Sequence, residues 1–247
     1  MRIPRVYSEQ SLAPGADIAL EAGPSQHLSR ALRLGEGAAV QVFDGRGSEY
    51  RASIRAVDRK CVHLHLEAPV ENHLESPLDI HLGIGISRGE RFDWVVQKAT
   101  ELGVSAISPL YTERVEVKLK GERELRKQRH WQQVAIAACE QCGRNKLPVL
   151  HEPRLLGDWL RDAAGERRFV LHHRSDTGLS DASAPASVSL LVGPEGGLTE
   201  AEIALAVDEG FEALALGPRV LRTETAPVAA LAILQARWGD MGMQPAG

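Results

Sequence analysis

The sequence predicts an α/β domain built on a parallel sheet, preceded by a small, mostly β, barrel-like module. Three observations carry this prediction. Apolar and polar side chains alternate with period two between residues 40 and 67, and a polar stretch bracketed by prolines, 69–77, then ends the alternation. Beyond it, short apolar runs alternate with helical stripes, the pattern of strands crossing over through helices. A boundary in the 69–77 stretch gives a first domain over 1–70 and a second over 76–247.

In the first module, Tyr50, Ala52, Ile54 and Ala56 alternate with Glu49, Arg51, Ser53 and Arg55, and Val62, Leu64 and Leu66 alternate with Cys61, His63 and His65. Asp44-Gly-Arg-Gly47 supplies turn chemistry for a hairpin between the Val40–Phe43 run and the strand around Tyr50. In the second, 80–86 reads as a strand. Phe92, Val95, Val96, Ala99 and Leu102 then form one helical stripe ending at Gly103, and 106–110 follows as a strand. Trp131, Val134, Ala135, Ala138, Cys139 and Cys142 repeat at helical spacing up to Gly143. The runs 169–172, 188–192 and 213–216 read as strands buried on both faces. Between the last two, Thr199 and Glu202 form a capping box, Ile203, Ala206 and Val207 a stripe, and Gly210 a stop. A final helix runs from about Pro227 to Trp238.

Composition narrows the function classes. With 43% hydrophobic and 25% charged residues over 247 positions, the chain is an ordinary globular protein. Its formal charge of −4, from 29 Lys and Arg against 33 Asp and Glu, argues against a whole-protein electrostatic grip on nucleic acid and leaves room for a local basic surface. The first 70 residues alone are positive, nine basic against eight acidic. No apolar signal core follows Met1, and no stretch approaches the ~20 apolar residues of a membrane span, so a cytoplasmic location without membrane attachment is expected. Three cysteines in such a chain point to reduced thiols.

In open α/β sheets ligands bind beyond the carboxyl ends of strands. Gly193-Pro-Glu-Gly-Gly197 follows a strand directly, and its glycines permit close backbone approach; a tight strand-to-helix turn is the plainer alternative. The second loop, from Gly217 to Pro227, is longer and less polar than an ordinary connection. Its Val220-Leu221 pair would line an adenine-sized pocket, with Thr223 and Thr225 as hydrogen-bonding groups. Neither loop fits the G-x-G-x-x-G fingerprint or a P-loop.

Four other features invite chemistry. Cys139-Glu-Gln-Cys142 has C-x-x-C spacing without a second pair, and both thiols fit the buried stripe, which favours packing over metal. His172-His173, at a strand end, is a better site candidate than His63 or His65, with a solvated loop histidine as the alternative. Arg114–Arg129 holds seven basic and three acidic residues, a solvated face or a set of phosphate contacts. Glu140, Gln141, Arg144 and Asn145 cluster at the end of the Trp131 helix, either a helix terminus or a group that bonds a base edge or phosphate.

At these residues the sequence resembles the ribosomal RNA small subunit methyltransferase E family, of the knotted SPOUT class. The motifs are Leu191-Val-Gly-Pro-Glu-Gly-Gly-Leu-Thr199, Leu216-Gly-Pro-Arg-Val-Leu-Arg-Thr-Glu-Thr-Ala226, Gln97-Lys-Ala-Thr-Glu-Leu-Gly-Val104, Glu140-Gln-Cys-Gly-Arg144, His27-Leu-Ser-Arg-Ala-Leu-Arg33 and Phe43-Asp-Gly-Arg-Gly47. The resemblance implies a PUA-like β-barrel fused to a trefoil-knot α/β domain, homodimeric, using S-adenosylmethionine to methylate N3 of one uridine in 16S rRNA within the small ribosomal subunit. It places the cofactor against Leu171, His172, Gly193, Gly196, Leu216, Leu221, Arg222, Thr223 and Ala226, and the RNA against Arg30, Arg33, Arg46, Lys98 and Arg144. Arg222 or Arg144 is expected to stabilise charge developing on the uracil, with Glu224 or Glu195 as base and no metal. A non-catalytic RNA-binding adaptor and a nucleotide-dependent oxidoreductase are the rival readings.

Overall fold

The computed structural model describes residues 3–59, 61–117, 119–175, 178–179 and 183–242. Contacts divide the chain into two compact units, Met1–Glu75 with Ile136–Leu147, and Ser76–Ala135 with Pro148–Gly247.

In the first unit, strands β1 (Arg5–Tyr7) and β2 (Asp17–Ala19) precede a short helix, α1 (Ala22–Gln26), and a π-helical turn, His27–Ala31. Strands β3 (Ala39–Phe43), β4 (Glu49–Val57) and β5 (Val62–Pro69) complete a five-stranded sheet of order β1-β3-β4-β5-β2. β1 runs parallel to β3 and the other pairs are antiparallel. The period-two pattern translates directly into burial: Ala52, Ile54, Val62, Leu64 and Leu66 join Val6, Leu28, Val40 and Val42 in one core, while Arg51 and Arg55 are exposed. The β3–β4 turn closes as its residues dictate. Asp44 accepts from the amides of Arg46 (2.8 Å) and Ser48 (3.0 Å), and Gly45 and Gly47 take positive φ.

Ile136–Leu147 falls inside the stretch assigned from the sequence to the second domain, yet it packs with the first unit because side chains of that unit satisfy its backbone. Arg5 donates to the carbonyls of Cys139 (2.7 Å) and Arg144 (3.2 Å) and pairs with Glu49 at 2.8 Å. Asn72 bridges Glu49 and the Gly143 carbonyl, and Glu140 receives the Tyr7 amide. Arg144 pairs with Glu75 at 2.9 Å.

The second unit starts with β6 (Asp79–Gly85), α2 (Arg91–Glu101), β7 (Ala106–Tyr111) and α3 (Glu122–Cys142), whose last turns belong to the first unit. Two-residue strands β8 (Val149–Leu150) and β9 (Arg154–Leu155) and helix α4 (Leu156–Asp162) follow. The chain ends with β10 (Arg167–Leu171), β11 (Ser187–Val192), α5 (Glu200–Asp208), β12 (Glu212–Leu214) and α6 (Thr225–Trp238). The sheet order is β12-β10-β11-β6-β7-β8, with β9 beside β7, and all pairs are parallel.

The strands are apolar on both faces because helices cover both. Ile80, Leu82 and Ile84 of β6 meet α2, α6 and Trp131, while Leu191 and Val170 meet Trp159, Leu160 and Phe211 on the other side. On that second face β6 presents glycines. A Cβ at Gly83 would lie 2.6 Å from the Trp159 ring, and one at Gly85 2.6 Å from Pro194, so these positions let α4 and the loop after β11 lie directly on the strand. The Thr199–Glu202 capping box forms as read from the sequence. Val207, expected on the buried stripe of α5, is 49% exposed; Ala206 and Phe211 make the sheet contact instead. No helix among the described residues is long and apolar enough to cross a membrane.

A buried histidine adds pH dependence. His81 Nε2 accepts from Trp159 Nε1 (3.2 Å) and meets Ser108 Oγ at 2.9 Å, and its ring stacks on His151. Indole only donates, so Nε2 is unprotonated. Burial, reinforced by His151, lowers its pKa to about 4. A histidine depressed in the folded state takes up its proton more readily when unfolded, so stability is lost as pH falls from about 6.5 toward 4. Urea titrations at pH 7 and pH 4 should show the second unit weakened by roughly 3 kcal/mol more in the wild type than in His81→Gln.

Candidate functional site

Strands β12, β10 and β11 are neighbours and parallel, so their carboxyl ends open on one edge of the sheet, where they surround a cavity of about 410 Å³. Leu171 at the end of β10, Val192 at the end of β11 and Leu214 at the end of β12 make its apolar floor. Leu216, Leu221 and Thr223 come from the β12–α6 loop, Ala226 from the first turn of α6, and residues 193–198 from the β11–α5 loop. The His172 amide donates to the Leu214 carbonyl (3.0 Å) and Ser175 Oγ to the Ala213 carbonyl (3.0 Å), tying the β10 exit to β12.

The β11–α5 loop is glycine-rich for steric reasons. A Cβ at Gly193 would lie 2.8 Å from the Leu198 nitrogen, and one at Gly196 3.0 Å from Arg114 Cβ; Gly197 holds φ +69°. Arg114, after β7, donates to the Gly196 carbonyl at 2.8 Å. Glu195 accepts from the Arg88 amide (2.8 Å) and the Arg91 guanidinium (3.2 Å). Burial pushes the Glu195 carboxyl up, but these donors outweigh it and hold the group below the usual carboxylate range.

The β12–α6 loop has the opposite character. Gly217 takes φ +110°, Val220 is 75% exposed, and the Arg222 carbonyl accepts the amides of Thr225 and Ala226, both at 2.9 Å, at the start of α6. Its main chain is therefore fixed. The Arg222 side chain is exposed and has no bonded partner among the described residues.

Of the residues expected at the cofactor, Leu171, His172, Gly193, Gly196, Leu216, Leu221, Thr223 and Ala226 all line the cavity, and so does Glu195. Arg222 does not: residues 221 and 223 face the cavity and 222 lies between them. Glu224 precedes α6 without a side-chain cap bond and is half-buried. Arg144, expected in catalysis and at RNA, is held within the first unit. Its side chain is 5% exposed and ion-paired with Glu75, so it braces the first unit. Lys98 is likewise bonded to both oxygens of Glu101, one turn away. Arg30 and Arg33 are exposed, and Arg46 is 60% exposed beside Asp44.

The remaining candidates sort by burial. Cys139 is buried, Cys142 half-buried, and both are free thiols, as packing demands. Asp58, Cys61 and His63 converge on an exposed hairpin turn with ligand atoms within 4.8 Å, one ligand short of a closed zinc site. In the basic stretch Lys118 lies outside the described residues, and Arg123–Arg129 form the first turns of α3. Arg88, Arg91 and Arg114, which buttress the glycine loop, were not singled out as site residues from the sequence. The one signal was Arg114's place in the basic run.

Comparison with known proteins matches residues 74–235 to an RNA methyltransferase domain and 25–67 to an RNA methyltransferase PUA domain. A ribosomal RNA small subunit methyltransferase E of Buchnera aphidicola is 32% identical over 242 residues, covering 97% of this chain and 98% of its own. The chain belongs to the ribosomal RNA small subunit methyltransferase E family. Another member, from Bacillus subtilis, is 31% identical over 84% of this chain and 85% of its own. Among solved structures, a methyltransferase of Legionella pneumophila with bound S-adenosylmethionine superposes with a TM-score of 0.94 at 42% identity, covering 98% of this chain and 100% of that one. A family member from Neisseria gonorrhoeae, also bound to S-adenosylmethionine, gives 0.91 at 35% identity over 97% and 100%. Family membership accounts for the α/β domain with its parallel sheet and for the PUA-like sheet of the first unit.

Proposed function

We propose that this chain transfers a methyl group from S-adenosylmethionine to N3 of one uridine of 16S rRNA in the small ribosomal subunit, as a cytoplasmic homodimer with a knotted second domain. The observation that carries the reading is the cavity at the ends of β10, β11 and β12, where both family motifs converge. Its character suits the donor. Leu171, Leu216 and Leu221 offer apolar walls to an adenine, the 193–197 backbone can approach closely, and no P-loop lysine is present to demand a phosphate. The homodimer and the knot are carried over from the likeness to the family.

S-adenosylmethionine, when bound, supplies a methyl group activated by a sulfonium. The protein's task is then to orient, to exclude water and to manage charge and one proton. Arg222, its main chain anchored at α6 and its guanidinium unpaired among the described residues, stabilises the negative charge that develops on the uracil oxygens. Glu224 is the better acceptor for the N3 proton. Glu195 is held in its ionised form by Arg88 and Arg91, which weakens it as a base and commits it to the loop.

Gly193→Ala is expected to weaken S-adenosylmethionine binding at least about tenfold by calorimetry, since the new methyl group would displace the Leu198 backbone. The function itself is tested by mass spectrometry of 16S rRNA from cells lacking this protein. Loss of one methylated uridine, restored by the wild-type chain, is the expected result; an unchanged methylation pattern rejects the reading.

A further inference from the structure

Two further hollows continue from the donor cavity, each sharing lining residues with the one before it. One, of about 400 Å³, shares Arg114, Glu195 and Gly196 with the cavity. The other, of about 770 Å³, shares Arg88 and Glu116 with the first. Together they form one trough within the second unit. It starts at the glycine loop, passes over the carboxyl ends of β6 and β7, and ends against the first turns of α3 at Arg123 and Lys127.

Ser87 lines the far hollow. It is 5% exposed, and its Oγ is buried without a hydrogen-bond partner among the described residues. A buried hydroxyl left unpaired needs an explanation, and a ligand that supplies the missing bond is one. The charges of the trough are mixed, with Arg88, Arg91, Arg114, Arg123 and Lys127 against Glu90, Asp93, Glu113, Glu116 and Glu195, so a phosphate strand binds there by taking cations from acids. Arg88 pairs with Glu116, both more than three-fifths exposed, and Lys127 faces Asp93 at 3.8 Å. Such pairs are weak and exchange readily for phosphate. Arg123 is exposed and has no partner among the described residues.

We propose that this trough holds the RNA strand being methylated, with the acceptor nucleotide against Gly196 and Arg114 and its neighbouring phosphates on Arg88 and Arg123. Ser87 Oγ bonds the strand from beneath. This rests on the methyltransferase reading and adds to it a location for the acceptor. Gly196 joins donor and acceptor, since it lines the donor cavity and the adjoining hollow. Lys98 and Arg144, paired with Glu101 and Glu75, do not line it.

The test uses the full-length protein, S-adenosylmethionine, and small ribosomal subunits from cells lacking this enzyme. Arg88→Ala and Arg123→Ala should each raise the subunit concentration for half-maximal single-turnover rate about tenfold, and Ser87→Ala should lower the rate at saturation by a similar factor. Donor affinity by calorimetry should stay within twofold of wild type in all three. Arg88→Lys should recover part of the loss, and Arg161→Ala, on the exposed face of α4, should behave as wild type. Wild-type kinetics in Ser87→Ala and both arginine variants would overturn the proposal. Loss of donor binding in Arg88→Ala would overturn it too, by showing that the loop serves only the cavity. If the wild type neither binds donor nor methylates the subunits, the methyltransferase reading falls first.

Discussion

Arg222→Ala is expected to slow single-turnover methylation by about 10²–10³-fold with saturating donor, while S-adenosylmethionine affinity stays within about twofold. The split follows from the loop's geometry. Leu221 and Thr223 line the donor cavity and Arg222 does not, so truncating its side chain removes nothing from the donor's walls. Its carbonyl, which accepts the Thr225 and Ala226 amides, belongs to the main chain and survives the substitution. What is lost is a cation unpaired among the described residues and carried on an anchored main chain beside the donor cavity, and its charge acts on the rate alone. Arg222→Lys should recover part of the rate, because the charge returns without the planar donor fork. Equal losses in donor affinity and rate would show instead that Arg222 holds the donor.

The largest effect on stability is expected at Arg5→Ala, about 3–5 kcal/mol in urea unfolding of the first unit followed by circular dichroism. The side chains of Arg5 and Glu49 are 6% and 2% exposed, and the guanidinium also lies 4.7 Å from the centre of the Phe43 ring. Its loss leaves the Glu49 carboxylate with Asn72 alone among the described residues, and frees the carbonyls of Cys139 and Arg144 at once. Arg5→Met, which restores apolar volume but no donor, should recover little. A loss below about 1 kcal/mol would mean that water replaces the guanidinium.

How far the sequence could be read depended on the range of the interaction concerned. Strands β4 and β5, helix α2 and the capped start of α5 were legible because alternation, a helical stripe and a Thr–Glu pair are written within a few residues. The two glycine loops were legible for the same reason. The two-residue strands β8 and β9 and the seven-residue α4 are too short to show a period. Arg144 and Lys98 show another limit. A sequence displays a cation but not its partner: Glu75 holds Arg144 in a buried pair, and Glu101 holds the half-buried Lys98 along its own helix.

The sequence by itself determined the class of fold, the two loops that build the donor cavity and, through their motifs, the family. Each of these is a local pattern, enforced by backbone sterics and by side-chain periodicity over a turn or a strand. Tertiary structure alone decided that Ile136–Leu147 returns to the first unit, that Arg222 stands outside the cavity its neighbours line, and that the loops after β6 and β7 form a trough meeting that cavity at Gly196. Those facts depend on residues as far apart as Arg5 and Arg144, or Arg114 and Gly196. Such pairs meet only when a parallel sheet gathers its strand ends on one edge and buried carbonyls and carboxylates find their donors, and no local pattern encodes which donor will be nearest.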